Sequence, residues 1–223
     1  MLTNAMPRYE PLSAEALELI HSGWERLGRE VGVQFDNPEA LRLFAEAGQT
    51  VDGETVRFDP GFLRAQAMLA PPTFRMRARN PERDLEIGGD RMIFCAVQGP
   101  PFVRQGDQRR DGTYADFMDL LRLVQMDPNL DTPGRNVVEP NDIALDARHL
   151  MRALAMIRLT DRVWAGEPSS GQAAADCLRM AEIVHGGLGD DPVLFANCNV
   201  NSPLTFDARM LDGILNYGAA GQA

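Results

Sequence analysis

Lysine is absent from the sequence, so all 22 basic residues are arginine. This absence excludes Schiff-base catalysis by a lysine and a Walker-type phosphate loop from the 223 residues, because both need a lysine amine. Cysteine is scarce as well: Cys95, Cys177 and Cys198 are widely spaced and form no C-x-x-C pair. Such spacing argues against a disulfide framework, and no ligand-pair spacing supports a zinc site. The sequence therefore indicates reduced thiols.

Long apolar runs and an excess of positive charge are also missing. The longest apolar runs, such as Val193–Ala196, fall far short of the roughly 20 residues that span a bilayer. The first residues lack the basic segment and apolar core of a secretory signal. The formal net charge of −10 creates a field that repels nucleic acid and anionic lipid. We therefore predict a cytoplasmic protein with neither nucleic acid nor membrane among its partners.

Residues 1–100 carry signals for helices and a small β-sheet. The helix-start signals are Ser13, Asn37-Pro38 and Asp59-Pro60, and the stop signals are Gly32 and Gly48. Val51–Glu54 predicts a tight hairpin turn. From Phe74 onwards the apolar residues alternate as in strands, and Met92–Val97 is the last strand of this segment. We therefore predict a helical and small β-sheet amino-terminal extension over residues 1–100.

Residues 101–223 predict strands that alternate with helices. Thr113 caps a first helix, and three extended stretches then follow, each with a helix after it. The stretches are 136–138, Arg162–Ala165 and Val193–Cys198, and the helices cover about 142–158, 170–185 and 207–217. This alternation gives right-handed βαβ crossovers and a parallel sheet. We expect an α/β fold whose sheet is truncated after the last helix, since a bare parallel edge is unfavourable.

Polar residues follow the predicted strands. Ligands of parallel α/β folds bind at the carboxyl ends of strands, so these residues are the candidate site. The candidates are Gln98, Glu139, Glu167, Asn199, Asn201 and Ser202. The alternation of Asn197, Asn199 and Asn201 places three amides on one face, which predicts a polar ligand or ordered water. Two alternatives stay open: the amides cap the following helix, and Glu139 and Glu167 are loop carboxylates paired with arginine.

Several short stretches, taken in their order, carry a family resemblance that covers essentially the whole chain. They are Glu30–Val33, Gly48 with Val51–Gly53 and Val56–Phe58, Arg77–Asn80, Arg109-Arg110 with Tyr114–Asp116, Glu139–Asp142 and Asn201–Leu204. The sequence resembles the first part of the trimethylamine methyltransferase family of corrinoid-dependent enzymes. The resemblance implies a TIM (β/α)8 barrel behind an amino-terminal extension, here an incomplete barrel whose first βα units lie in residues 101–223.

The resemblance also implies a reaction and its partners. A methyl group moves from a tertiary or quaternary amine, such as trimethylamine or glycine betaine, to the cobalt of a corrinoid (cobalamin) carried by a separate protein. The chain itself binds no cofactor, the full-length enzyme is a homo-oligomer, and the fragment is inactive alone. On this interpretation Glu139 and Glu167 supply negative potential for a methylammonium group. Asn199, Asn201 and Ser202 position a substrate carboxylate or line the barrel mouth, and Gln98 precedes a loop over the barrel top.

Two other interpretations remain open. The first is another TIM-barrel methyltransferase or lyase, with zinc supplied by later residues. The second is a non-enzymatic α/β binding module. No catalytic residue and no metal ligand is assigned in this segment, and the substrate's identity is left open, with a quaternary amine favoured.

Overall fold

A computed structural model describes residues 2–223 and places them in a mixed α/β fold. The strands are β1 (Leu2–Thr3), β2 (Val33–Phe35), β3 (Thr50–Asp52), β4 (Thr55–Arg57), β5 (Thr73–Met76), β6 (Leu85–Gly88), β7 (Arg91–Met92), β8 (Phe102–Gln105), β9 (Gln108–Asp111), β10 (Trp164–Ala165), β11 (Leu194–Phe195) and β12 (Thr205–Phe206). The helices are α1 (Ala14–Arg26), α2 (Pro38–Glu46), α3 (Pro60–Met68), α4 (Tyr114–Met126), α5 (Leu145–Leu159), α6 (Gly171–His185) and α7 (Ala208–Ala219).

The described residues form two compact units. The amino-terminal unit comprises residues 5–72 and 199–212, and the βα unit comprises residues 2–4, 73–198 and 213–223. The predicted division into 1–100 and 101–223 stays a prediction. Among residues 2–223, no helix combines the length and the apolar character that crossing a bilayer requires.

The three helices of the amino-terminal unit begin at the residues that the sequence predicts. The side chains of Ser13, Asn37 and Asp59 each accept a hydrogen bond from a backbone N–H of the first turn. These bonds satisfy amides that otherwise lack a partner at a helix start. After α1 a π-helical turn, Leu27–Val31, leads to Gly32, whose φ of 86° is the left-handed conformation of a helix stop.

The sheet of the amino-terminal unit has the strand order β12-β2-β4-β3. Strands β3 and β4 form the predicted hairpin, while β12 runs parallel to β2. The sheet packs on a core rich in phenylalanine: the Phe35 ring lies 4.7 Å from that of Phe44 and 5.2 Å from that of Phe206, between centroids. Burial of such aromatic side chains is a main source of stability in a unit of this size.

Four extended segments lie side by side in the βα unit. Strands β10 and β11 pair in parallel. On the other side of β10, Ala165 N donates to Gly134 O at 3.0 Å and Thr132 Oγ1 donates to Val163 O at 2.6 Å. Thr132 in turn forms a parallel bridge with Cys95. The spatial order is therefore 94–96, 131–134, 163–165 and 194–195, with each carboxyl end at the same edge.

This arrangement corrects two sequence-based expectations. The predicted strand Met92–Val97 pairs with β1 only through Arg91–Met92, and its later residues join the parallel set at Cys95. The extended stretch predicted at 136–138 is wrong in its position, because the residues that hydrogen-bond to both neighbours are 131–134. The α/β class is confirmed, and a closed TIM barrel stays a prediction.

Helices α4, α5 and α6 connect the parallel segments and cover a buried core. Helix α4 begins with a capping box, in which Thr113 and Asp116 satisfy each other's backbone amides. The core includes Phe117 and Leu121 of α4, both fully buried, with Trp164 of β10. The predicted helix starts at Thr113 and Ser170 are confirmed. The sequence did not predict the hairpin of β8 and β9, which precedes α4.

Candidate functional site

The carboxyl ends of the parallel segments bring several polar side chains to one edge of the βα unit. Gln98 follows segment 94–96, Arg135 follows 131–134, and Glu167 follows 163–165. This is the edge at which parallel α/β folds bind their ligands. The structure therefore brings together three of the predicted residues, Gln98, Glu139 and Glu167, through one network of hydrogen bonds and ion pairs.

Gln98 holds the loop that carries Arg135. Its Oε1 accepts from the backbone N–H groups of Arg135 at 2.8 Å and Asn136 at 3.1 Å. Its Nε2 donates to Pro133 O at 3.0 Å and to Ala96 O at 2.8 Å. Both ends of the amide are therefore bonded to backbone, so its immediate effect is to fix the conformation of residues 133–136.

Glu139 and Glu167 are bridged by one buried arginine of α5. Arg152 donates to Glu139 Oε2 at 3.1 Å and contacts Glu167 through its other terminal nitrogen. Arg148, one helical turn earlier, donates to Glu139 Oε1 at 2.8 Å. Arg135 donates to Glu167 Oε1 at 2.7 Å. The open alternative, that the two carboxylates pair with arginine, therefore describes their geometry.

The charges of this network do not cancel. Three guanidinium groups face two carboxylates, which leaves one positive charge in excess. Burial raises the pKa of Glu139, but the charge of Arg152 and the hydrogen bonds from Arg148 and Asn136 outweigh it, so the pKa lies below its ordinary value. Burial lowers the pKa of Arg152, against the opposing effect of the two carboxylates. Both carboxylates are therefore balanced by arginine, and neither provides an uncompensated negative charge.

Two buried polar atoms of the network have no hydrogen-bond partner within residues 2–223. They are Oδ1 of Asn136 and Nε of Arg152. Both side chains are almost fully buried, with 3% and 6% of their residues' surface exposed. Leaving such groups without a partner is costly, so unsatisfied buried polar groups are rare in folded proteins.

Buried groups behind Glu167 fix its backbone. Tyr217 Oη donates to Glu167 O at 3.0 Å, and Glu167 N donates to Cys177 Sγ at 3.4 Å. Burial raises the pKa of Cys177 to about 11 and raises that of Tyr217 above its usual range. Both groups therefore stay protonated at neutral pH. This favours a structural role, holding the Glu167 backbone, over a role as nucleophiles.

The remaining predicted site residues belong to the amino-terminal unit. Asn199, Asn201 and Ser202 are exposed there. Asn201 Nδ2 donates to Asp207 Oδ2 at 3.1 Å, and Asp207 Oδ1 accepts from Met210 N at 3.0 Å in the first turn of α7. Asp207 therefore caps α7, and Asn201 bonds to the capping side chain without capping the helix itself. A part for these three residues in substrate binding stays a prediction.

The sequence did not identify Arg135, Arg148, Arg152 or Asn136 as site residues. A partial signal was present, because Arg148 and Arg152 are four residues apart on one helix and share a face. Their partners, 9 to 15 residues away, depend on the fold. Within the described residues, no group of three or more His, Cys, Asp and Glu side chains could hold a metal ion.

Comparison with known protein families identifies the family of this chain. The family model described as trimethylamine methyltransferase matches residues 1–223. The chain belongs to the trimethylamine methyltransferase family. Among its relatives, the glycine betaine methyltransferase of Desulfitobacterium hafniense (strain Y51) is 32% identical over 222 residues, which cover 98% of this chain and 46% of that protein.

Two further relatives of this family member are more distant. The proline betaine:corrinoid methyltransferase of Eubacterium limosum is 26% identical, and the match covers 95% of this chain and 46% of that protein. A trimethylamine methyltransferase of Desulfitobacterium hafniense (strain DSM 10664 / DCB-2) is 27% identical, and the match covers 94% of this chain and 43% of that protein. The family member described here thus spans a little under half the length of these curated relatives.

Proposed function

We propose that the full-length enzyme transfers a methyl group from a methylated tertiary or quaternary amine to the cobalt of a corrinoid that a partner protein carries. The observation that carries this proposal is the family match over residues 1–223, together with relatives named for betaine, trimethylamine and corrinoid methyl transfer. The corrinoid is a substrate held by the partner in this proposal, and the cytoplasmic location and homo-oligomeric state stay predictions.

The proposed reaction requires little acid–base catalysis by residues of this chain. In the transfer the C–N bond breaks and its electron pair stays on nitrogen, while the Co(I) centre supplies the pair for the new Co–C bond and becomes Co(III). A quaternary ammonium leaves as a neutral amine without prior protonation, which favours it over trimethylamine. The protein's contribution is then to orient the methyl group, since positioning alone lowers a bimolecular barrier substantially.

The polar edge of the βα unit supports this role. Its groups lie on strand ends and are held by a helix and by the Gln98 amide, which gives the fixed geometry that an orienting site needs. Gln98, Glu139 and Glu167 are proposed as positioning residues of this site. Asn199, Asn201 and Ser202 are proposed as further substrate contacts.

The test is a methyl-transfer assay with the full-length enzyme and its cognate corrinoid protein held as Co(I). A panel of glycine betaine, other quaternary amines and trimethylamine is added one at a time, and the visible spectrum follows the conversion of Co(I) to methyl-Co(III). We expect conversion with at least one amine, and none when the enzyme is omitted. Absence of conversion with every amine, while a known family member converts the same corrinoid protein, would refute the proposal. Transfer that depends on added zinc would support the alternative barrel enzyme instead.

A further inference from the structure

The guanidinium of Arg135 differs from the other two arginines of the network. Arg148 and Arg152 are largely buried, with 13% and 8% of their side chains exposed, and Arg152 bonds to both carboxylates. Arg135 keeps 32% of its side chain exposed and bonds to Glu167 through Nη1. Within residues 2–223 its Nη2 and Nε have no hydrogen-bond partner. A guanidinium carries five N–H donors, so most of this fork remains available to a ligand.

The loop that presents Arg135 is fixed before any ligand binds. Gly134 has a φ of 64°, and a Cβ at this position would overlap the amide of Gln98. That amide accepts the backbone N–H of Arg135 at 2.8 Å. The backbone of the loop is thus held from one side by Gln98, and the guanidinium from the other by Glu167. A pre-organised guanidinium binds an anion with less loss of conformational entropy than a free one.

The charge around Arg135 selects the sign of its ligand. The network holds three guanidinium groups and two carboxylates, so the exposed one lies in a positive excess. In the same network Arg152 Nε, an N–H donor, is buried without a partner in the described chain. A methylammonium group would be repelled here, whereas a carboxylate would neutralise the excess and accept two parallel N–H bonds.

We propose that Arg135 binds the carboxylate of the substrate and thereby makes the enzyme selective for carboxylated quaternary amines over amines without a carboxylate. This inference rests on the proposed methyl-transfer function and names its substrate class. Arg135 directly follows segment 131–134, which places it at the strand-end edge. The quaternary nitrogen then lies on the side away from the guanidinium, with its methyl groups directed out of the arginine cluster.

The experiment compares two substrate pairs in the full-length enzyme, with methyl transfer to the corrinoid protein as the readout. Glycine betaine is measured against its neutral carboxamide and against tetramethylammonium. In the unmodified enzyme we expect a KM for the carboxamide about tenfold to a hundredfold above that for glycine betaine, the range of a charge-assisted hydrogen bond. Equal KM values for the two would overturn the proposal without any variant.

The variants are Arg135→Gln, Arg135→Lys and the control Arg122→Gln, an exposed arginine of α4 that also pairs with one carboxylate. Arg135→Gln should raise the KM for glycine betaine about tenfold or more, and by a much larger factor than it raises the KM for tetramethylammonium. Arg135→Lys should restore part of the affinity, and Arg122→Gln should change neither constant. An equal loss with both substrates would contradict carboxylate binding. If the unmodified enzyme transferred no methyl group at all, the proposed function itself would fail.

Discussion

Two separate constraints disfavour a side chain at Gly134. Its φ of 64° disfavours any side chain, and the Gln98 amide occupies the space that a Cβ would need. Gly106, in the turn between β8 and β9, has a nearly equal φ of 59° but nothing within 4 Å of a built Cβ. The two glycines therefore separate the cost of backbone strain from the cost of displacing Gln98.

We expect Gly134→Ala to destabilise the protein more than Gly106→Ala. Both substitutions carry the left-handed penalty of about 1–2 kcal/mol. Gly134→Ala adds about 1–3 kcal/mol of crowding, because Gln98 must move and its bonds to the loop weaken. Urea unfolding of both variants measures the difference. An equal loss of unfolding free energy in the two variants would mean that Gln98 can move aside without destabilising the protein.

Glu139 makes the stability of the fold depend on pH, and the direction of that dependence follows from its lowered pKa. The folded protein holds its pKa below the ordinary value of 4.5, so the ionised carboxylate stabilises the fold at neutral pH. This contribution is lost as the pH falls through the folded-state pKa, because protonation then removes the bonds to Arg148 and Arg152.

We therefore expect Glu139→Gln to be less stable than the unmodified protein near neutral pH, with the gap closing as the pH falls below 4.5 and through the lowered folded-state pKa. Thermal unfolding across this range is the measurement. Glu182→Gln, at an exposed carboxylate of α6 paired with Arg179, is the matched control. A gap that stays constant down to the acid limit would contradict the ion-pair account of Glu139.

Among the elements, helix α4 has a buried face and an exposed face two residues apart. Leu121 is fully buried in the core, whereas Leu123 is 63% exposed. Leu121→Ala should cost about 2–5 kcal/mol through lost burial and the cavity that remains. Leu123→Ala should change stability by less than about 0.5 kcal/mol. Chemical unfolding of both variants checks this, and similar losses would argue against the orientation of α4.

The helices could be predicted because their signals are local. Ser13, Asn37, Asp59, Thr113 and Ser170 each cap a helix start through a bond to an amide within three residues. No distant residue is needed to form such a bond, so the sequence alone contains the information.

The extended elements were harder to predict because their partners are distant. The hairpin of β8 and β9 has exposed residues along nearly its whole length, so it lacks the apolar alternation by which a half-buried strand is recognised. Segment 131–134 bonds to Phe94 and Ala96, 36 to 38 positions before the bonded residues, and to Ala165, 31 positions after Gly134. Its place between two strands depends on the crossovers, and its own composition does not specify it.

The sequence predicted the location of the candidate site better than it predicted the charge of the site. The strand-end rule identified Gln98, Glu139 and Glu167, which the structure links in one network. It missed Arg135 and Arg152, whose partners come together only in the folded βα unit. The whole sequence has a net charge of −10, yet this network carries a positive excess. A property of the whole chain thus gives no guide to the potential at one edge.

For the whole molecule, the proposed function is the transfer of the methyl group itself. The most direct measurement supplies the full-length enzyme and its Co(I) corrinoid partner with a betaine labelled with ¹³C in its N-methyl groups. The corrinoid protein and the released amine are then analysed by mass spectrometry. We expect one labelled methyl group on the corrinoid for each amine that has lost one methyl group. A demethylated amine without label on the corrinoid, or an intact betaine beside a corrinoid that a known family member methylates, would contradict the proposed function.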